Sequence, residues 1–247
     1  MLRKRVVTVL TFNDGVLFRT KLFRPDYRYT LNFVDAWSVD EIVVLDVTRP
    51  GEGRRENFER VVSDFARRCF VPLGAGGGIR TLDDVRRTMA LGADKVVLNT
   101  GALQRPEFIS EVARLYGAQC VVLSMDVKRH ADGRYEVLGG FGQVPSGRAP
   151  EDWARQAVAL GAGEILVTAI ERDGWLQGYD LELCRGVCQA VAAPVLVLGG
   201  AGTWAHMAEA FEAGAAAACT QNIYHFTDTS IRGAKAYLAK RGLPVRL

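Results

Sequence analysis

The sequence predicts an α/β fold, a half-duplicated (β/α)8 barrel closed into a single domain over residues 1–247, and three observations carry that reading. Short runs rich in Val, Ile and Leu alternate eight times with amphipathic stretches, the pattern of buried parallel strands joined by helices. The chain has 247 residues, close to the usual length of one such barrel. The stretch Val71–Leu103 recurs in outline at Ala193–Phe226, so that Gly77-Gly78 match Gly199-Gly200 and Gly92 matches Gly214. That repeat divides the chain into half-barrels of about 1–118 and 119–247. An open doubly wound sheet is the alternative, but it gives no reason for a duplication of this phase.

Each element follows from its local pattern. Arg5–Leu10 is a Val-rich first strand, and the amphipathic Tyr29–Trp37 is the helix after it. Glu41–Asp46 reads EIVVLD, a second buried strand, and Asn57–Arg68 has helical spacing of its apolar residues. Val71–Gly74 runs into a glycine cluster, and Thr81-Leu-Asp-Asp then starts the helix Leu82–Leu91. Lys95–Leu98 is the fourth strand. Pro106–Tyr116 follows, with Pro and an acid in its first turn. The second half runs Gln119–Asp126, Ala149–Leu160, Glu164–Ala169, Leu181–Val191, Pro194–Leu198, Thr203–Ala213, Ala216–Thr220 and Ser230–Arg241. A hairpin of Tyr135–Val137 against Leu138–Gly142 interrupts the loop after the fifth strand.

The bulk numbers describe an ordinary globular protein, 49% apolar and 24% charged. A net charge of +3 is too small to argue for nucleic acid or a membrane surface. Arg54-Arg55 and Arg67-Arg68 read as solvated helix faces. Five widely spaced cysteines make no disulfide framework and point to a reducing, cytoplasmic setting. Cys184 and Cys188 stand four apart on one helix, without the further His or Asp ligands a metal needs. The basic start MLRKRVVTVLTF lacks a cleavage site, and no apolar run reaches the length of a membrane span. No cofactor motif is present in the sequence.

In such barrels the site lies where the strands end. The glycine clusters at Gly76-Gly77-Gly78 and Gly199-Gly200 offer backbone N–H groups to phosphate, one on each side of the mouth. Their other reading is as tight turns only. Asp126 ends the fifth strand and is the best-placed general acid or base. Its counterpart at the end of the first strand is Thr11, whose hydroxyl does not titrate near neutral pH. Asp14 reads as part of the turn before Gly15, and Asp46 points either to the mouth or to a base inside the barrel. At the opposite ends stand Arg5, Glu41, Lys95 and Glu164, a set that by itself reads as a stabilising network.

The stretches MLRKRVV, DEIVVLDV, GGGIRTLDD, GADKVVLNT, MDVKRHADG, GAGEILVTAIERDG, GGAG and KRGLPVRL together resemble the cyclase subunit family of imidazole glycerol phosphate synthase, over essentially the whole chain. The resemblance implies a half-duplicated TIM barrel that receives ammonia from a glutaminase subunit docked at its bottom. It implies an ammonia gate of Arg5, Glu41, Lys95 and Glu164, and a partner contact at Asp94. It implies one phosphate site at Gly78, Asn99 and Thr100, and another at Gly174, Gly200 and Asn222. Asp126 matches one of two catalytic aspartates, and Thr11 replaces the other.

Further departures gather at the same end: Leu198 for a serine, Trp175 for a small polar residue, and Gln221-Asn222 for a small pair. Together with the segment RTKLF, they resemble a paralogous branch associated with acetamidino-sugar synthesis for surface polysaccharides. That branch implies a second partner at the top face, an ATP-dependent sugar amidotransferase. Three readings stand: an ammonia-conducting subunit with little cyclase activity, a divergent cyclase of histidine biosynthesis, and a phosphate-binding isomerase or scaffold. Exposed Trp175, Phe12 and Phe23 would suit docking at the top, and core packing is the other reading of the two phenylalanines.

Overall fold

The computed structural model describes residues 3–21, 24–28, 39–221 and 231–247. In chain order the strands of the first half are β1 (Arg5–Asn13), β2 (Val16–Lys21), β3 (Arg24–Arg28), β4 (Glu41–Asp46), β5 (Leu73–Gly76) and β6 (Lys95–Leu98). Those of the second are β7 (Val121–Arg129), β8 (Tyr135–Gly139), β9 (Val144–Pro145), β10 (Glu164–Ala169), β11 (Val195–Leu198) and β12 (Ala217–Thr220). The helices are α1 (Arg55–Arg68), α2 (Leu82–Ala90), α3 (Thr100–Gln104), α4 (Glu107–Tyr116), α5 (Pro150–Ala159), α6 (Leu181–Ala190), α7 (Trp204–Glu212) and α8 (Ile231–Lys240). The parallel order β1-β4-β5-β6-β7-β10-β11-β12 returns to β1, which closes the (β/α)8 barrel.

Alternation along the strands sorts side chains into two cores. Val7, Val9, Val43, Val97, Val122, Leu166, Leu196, Ala217 and Cys219 fill the inside. The intervening Val6, Leu10, Phe12, Ile42 and Val44 face the helices. On α1, Phe58, Val61, Val62 and Phe65 make the stripe that covers Phe12, whose ring meets Phe58 and Phe65. Phe12 is therefore core and not a docking residue. Thr81 caps α2 in a reciprocal box with Asp84, as its sequence signal indicates.

The register exposes the repeat. Val7 pairs with Glu41 and Val122 with Glu164, so β1 overlays β7 with Thr11 on Asp126 and Arg5 on Cys120. Likewise Gly74 pairs with Lys95 and Leu196 with Ala217, which overlays Lys95 on Ala217.

Several boundaries differ from expectation. The first strand continues past Leu10 to Asn13, turns at Asp14-Gly15 with φ of 49° and 76°, and returns antiparallel as β2. Asp is among the non-glycine residues that enter the left-handed region most readily, and the Asp14 carboxylate is held from outside the turn by Arg54 and Asn57. The expected hairpin of Tyr135–Val137 against Leu138–Gly142 is corrected: Val137 and Leu138 share β8, which pairs with β7 on one side and β9 on the other. Glycines at 139, 140 and 142 place the turn two residues later than the apolar pattern implied. The third strand begins at Leu73 and not Val71, and the fifth at Val121, after a 3-10 turn over Ala118–Cys120. The expected helix Tyr29–Trp37 and residue Phe23 lie outside the described residues.

Candidate active site and charged ring

At the bottom, the first inward residues of four strands form a closed ring. The Arg5 guanidinium donates to Glu41 at 2.6 Å and lies 2.8 Å from Glu164. The Lys95 ammonium reaches Glu41 at 2.9 Å and Glu164 at 2.7 Å. Each charge thus contacts two of opposite sign. The Glu41 side chain is 1% exposed, so removing either partner would be costly. Directly above lies the aliphatic layer, and the Cys219 thiol, buried there and facing the two glutamates, is pushed well above its ordinary value. Asp94 is exposed beside the ring, and its carboxylate accepts from the Leu73 amide at 2.8 Å.

At the top, a cleft of about 550 Å³ opens between the strand-end loops. Asp126 and Asn99 both project into it, and Asn99 donates to the Asp126 carboxylate at 2.8 Å. Burial pushes the Asp126 carboxyl up to about 7; the Asn99 bond opposes this and the charge of Asp173 adds to it. The Asn99 Oδ1 is buried with no hydrogen-bond partner among the described residues. Thr100 Oγ1 accepts from the Gly140 amide at 3.0 Å, which ties the strand-four loop to β8.

Thr11 is committed elsewhere. Its hydroxyl donates to the Phe18 carbonyl at 2.6 Å and accepts from Gln221 Nε2 at 3.0 Å. Gln221 also donates to Phe18. The β1–β2 hairpin is thereby buttoned to the end of β12, and the space across the mouth from Asp126 holds an amide and a hydroxyl instead of a second carboxylate.

The two glycine turns differ as well. Gly78 has φ of 65° and is exposed, and a Cβ there would meet only Arg55 Nη1 at 3.4 Å. Its counterpart Gly200, φ 98°, is buried: a Cβ there would lie 2.1 Å from the Gly178 carbonyl, and the Gly178 amide donates to Gly200 at 2.7 Å. The segment that carries Gly174 and Trp175 therefore lies over the second turn, whereas the first is open to the cleft. Left-handed Leu176, φ 58°, and Phe141, φ 61°, both line the cleft, which concentrates backbone strain there. Asn222, the remaining expected phosphate residue, lies outside the described residues.

Sequence reasoning overlooked the arginines. Arg49, Arg54, Arg55 and Arg80 line the cleft from the loops after β4 and β5, and among the described residues no Lys or Arg lines it from the second half. Arg55 is not part of a solvated face: it donates to the Gly77 carbonyl at 2.6 Å and lies 3.6 Å from Asp46. The position of Arg54-Arg55 just after the second strand was the available signal. Asp14 does belong to its turn, accepting from the Arg54 amide and from Asn57. Trp175 is 43% exposed, with the Lys21 ammonium 4.0 Å over its ring.

Among the described residues no cluster of three or more His, Cys, Asp or Glu is arranged to hold a metal, and no helix is long and apolar enough to cross a membrane. A model of the histidine biosynthesis protein family matches residues 5–230. Imidazole glycerol phosphate synthase subunit HisF of Gluconacetobacter diazotrophicus is 44% identical over 251 aligned residues, which cover 100% of this chain and 97% of that one. The chain belongs to the histidine biosynthesis protein family, with the HisF-like cyclase subunits.

Proposed function

We propose that this chain is the ammonia-conducting barrel of a glutamine amidotransferase system, with weak cyclase activity or none. One juxtaposition carries the reading: a complete Arg5–Glu41–Lys95–Glu164 ring at the bottom of a barrel whose mouth has Thr11, and no carboxylate, at the strand-end position that matches Asp126. A glutaminase subunit docks at the bottom face, with Asp94 in the contact. Ammonia enters when one ion pair of the ring parts. The aliphatic layer behind the ring favours neutral ammonia, because an ammonium ion in that layer would lose its hydration without a counter-charge. Both half-barrels, about 1–118 and 119–247, act as one domain with a single central path.

At the mouth, the cleft accepts a phosphorylated ligand through Gly78, Asn99 and Thr100, with the arginines beside them. The side bearing Gly174 and Gly200 is the weaker anion site, since its glycine turn is covered and Asp173 adds negative charge. The emerging ammonia serves acetamidino modification of a nucleotide-linked N-acetyl sugar by an ATP-dependent amidotransferase at the top face, where Trp175 is exposed.

The alternative is a working cyclase of histidine biosynthesis. The 44% identity to a HisF subunit along the full length favours it, as does an Asp126 carboxyl that titrates near neutrality. One assay separates the two. The aminoimidazole bis-phosphate substrate is supplied with excess ammonium salt, which bypasses any glutaminase. Robust turnover would sink the ammonia-only reading. Absence of turnover, with stimulation of a partner glutaminase by this chain, would sink the cyclase reading.

A further inference from the structure

Cys184 and Cys188 face each other across the last turns of α6, Sγ to Sγ 3.9 Å. Ammonia conduction makes no use of them. Cys184 is buried, and Cys188 is half-buried. The Lys4 Nζ donates to the Ala215 carbonyl at 2.5 Å, next to Gly214, and is near enough for its charge to act on both sulfurs. The backbone amide of Lys4 is pinned to Pro244 at 2.9 Å, and the next residue is Arg5 of the charged ring. Gly214, with φ of 113°, turns against the thiol: a Cβ there would come within 3.1 Å of Cys188 Cβ and 3.5 Å of its sulfur. Cys188 is thus held between a second thiol, a cation and a tight turn at the barrel bottom.

That setting selects one sulfur as the nucleophile. Cys184 is buried with its S–H directed at the Ala210 carbonyl at 3.9 Å, whereas Cys188 is the sulfur of the pair that a peroxide reaches. Contact with Cys184 lowers the Cys188 thiol below its ordinary value; burial opposes the effect and Lys4 reinforces it. The same contact raises Cys184. A lowered, accessible thiol beside a resolving thiol is the arrangement of oxidation-sensitive cysteines.

We propose that Cys188 and Cys184 form a reversible modification site for hydroperoxides. The Cys188 thiolate attacks the O–O bond, forming an S–O bond while the distal oxygen leaves and takes up a proton. Cys184 then attacks the resulting sulfenic sulfur, forming S–S and expelling hydroxide, which takes the Cys184 proton. Two thiols are oxidised to one disulfide, and hydrogen peroxide is reduced to two waters.

Helix geometry permits the bond but strains it. At 1.5 Å rise the two Cα atoms are roughly 6 Å apart, inside the disulfide range of about 4.4–6.8 Å. Cβ atoms four residues apart on a helix are about 5–6 Å apart, wider than a disulfide's 3.5–4.5 Å or so. The turn from Cys184 to Cys188 must therefore loosen, and it contains Gly186, the residue type that resists such a change least. A disulfide made under such strain is readily reduced by thiols. The site stands on contacts independent of the ammonia reading.

The test uses the full chain and hydrogen peroxide, followed by alkylation and peptide mass analysis. Cys188 is expected to be consumed roughly tenfold faster than Cys69 and Cys120, whose thiols burial pushes up, with an internal 184–188 disulfide that dithiothreitol reverses. Cys188→Ser leaves the remaining thiols intact over that time. Cys184→Ser leaves a sulfenic acid at Cys188 that dimedone traps. Because Cys184 is buried, the parent chain and Cys188→Ser decide the matter if that variant does not fold. Equal consumption of the surface-reaching thiols, a bond between molecules, or over-oxidation of Cys188 without an internal bond overturns the proposal.

Discussion

Replacing Asp126 with Asn removes a carboxyl whose proton the barrel mouth holds up to near neutral pH. Burial lifts it from its ordinary 3.8 to about 7, with Asn99 opposing and Asp173 contributing. The folded state therefore holds this proton more tightly than the unfolded chain does. The stability the proton confers is complete below pH 3.8 and is lost as the pH climbs through about 7. Moving one carboxyl from 3.8 to about 7 corresponds to about 4 kcal/mol. Water in the open cleft reduces that to about 2–3 kcal/mol. An amide is neutral throughout and keeps a hydrogen bond to Asn99. Asp126→Asn is thus expected to match the parent near pH 4 and to exceed it by about 2–3 kcal/mol at pH 8.5, a Tm gain of about 4–12 °C for a domain this large. Thermal and urea unfolding followed from pH 4 to 8.5 measure the difference. A gap that does not widen with pH, or a variant less stable than the parent at pH 8.5, refutes the reasoning, for it would mean that the carboxylate is well solvated or paired.

Lys95→Met leaves Glu41 and Glu164 sharing Arg5 alone and is expected to cost about 3–5 kcal/mol in urea unfolding, with the glutaminase-dependent ammonia flux also changed. Lys235→Met strands Asp40, 5% exposed and 2.7 Å from the ammonium, and is expected to lower stability by a similar amount of about 3–5 kcal/mol. Thr11→Asp is expected to bring partial cyclase turnover with ammonium salt, together with lower stability from a carboxylate facing the Phe18 carbonyl; differential scanning calorimetry and the ammonium assay read the two effects.

The barrel itself was legible because its strands are buried on both faces. Glu41–Asp46, Lys95–Leu98 and Glu164–Ala169 read as continuous apolar runs and have those bounds in the structure. The β1–β2 hairpin was not legible, since its outward strand continues a buried run and its return, VLFRTK, has no glycine-bounded turn at the far end. Within the site, Asp126 and the ring residues could be named from strand ends. The cleft arginines were not named: position after a strand was the only signal, and for Arg55, on the first turn of α1, a guanidinium reads the same whether it faces water or folds back, as it does, onto the Gly77 carbonyl. The difference between Gly78 and Gly200 was also hidden: both sit in matching glycine pairs, and only the three-dimensional path of Gly174–Gly178 covers one of them.

The overlay of β1 on β7 and of β6 on β12 has a consequence for what each half could build alone. In that overlay Glu41 and Glu164 are equivalents, but Arg5 corresponds to Cys120 and Lys95 to Ala217. Two copies of the first half assembled as a dimer would gather four cations against two acids at the bottom. Two copies of the second half would gather two acids with no cation. Neither symmetric pairing of the present halves could close a neutral ring, and only the union of the two different halves brings two charges of each sign to the same end. The ring is a property of the fusion, so exchange of either half for the other would open it.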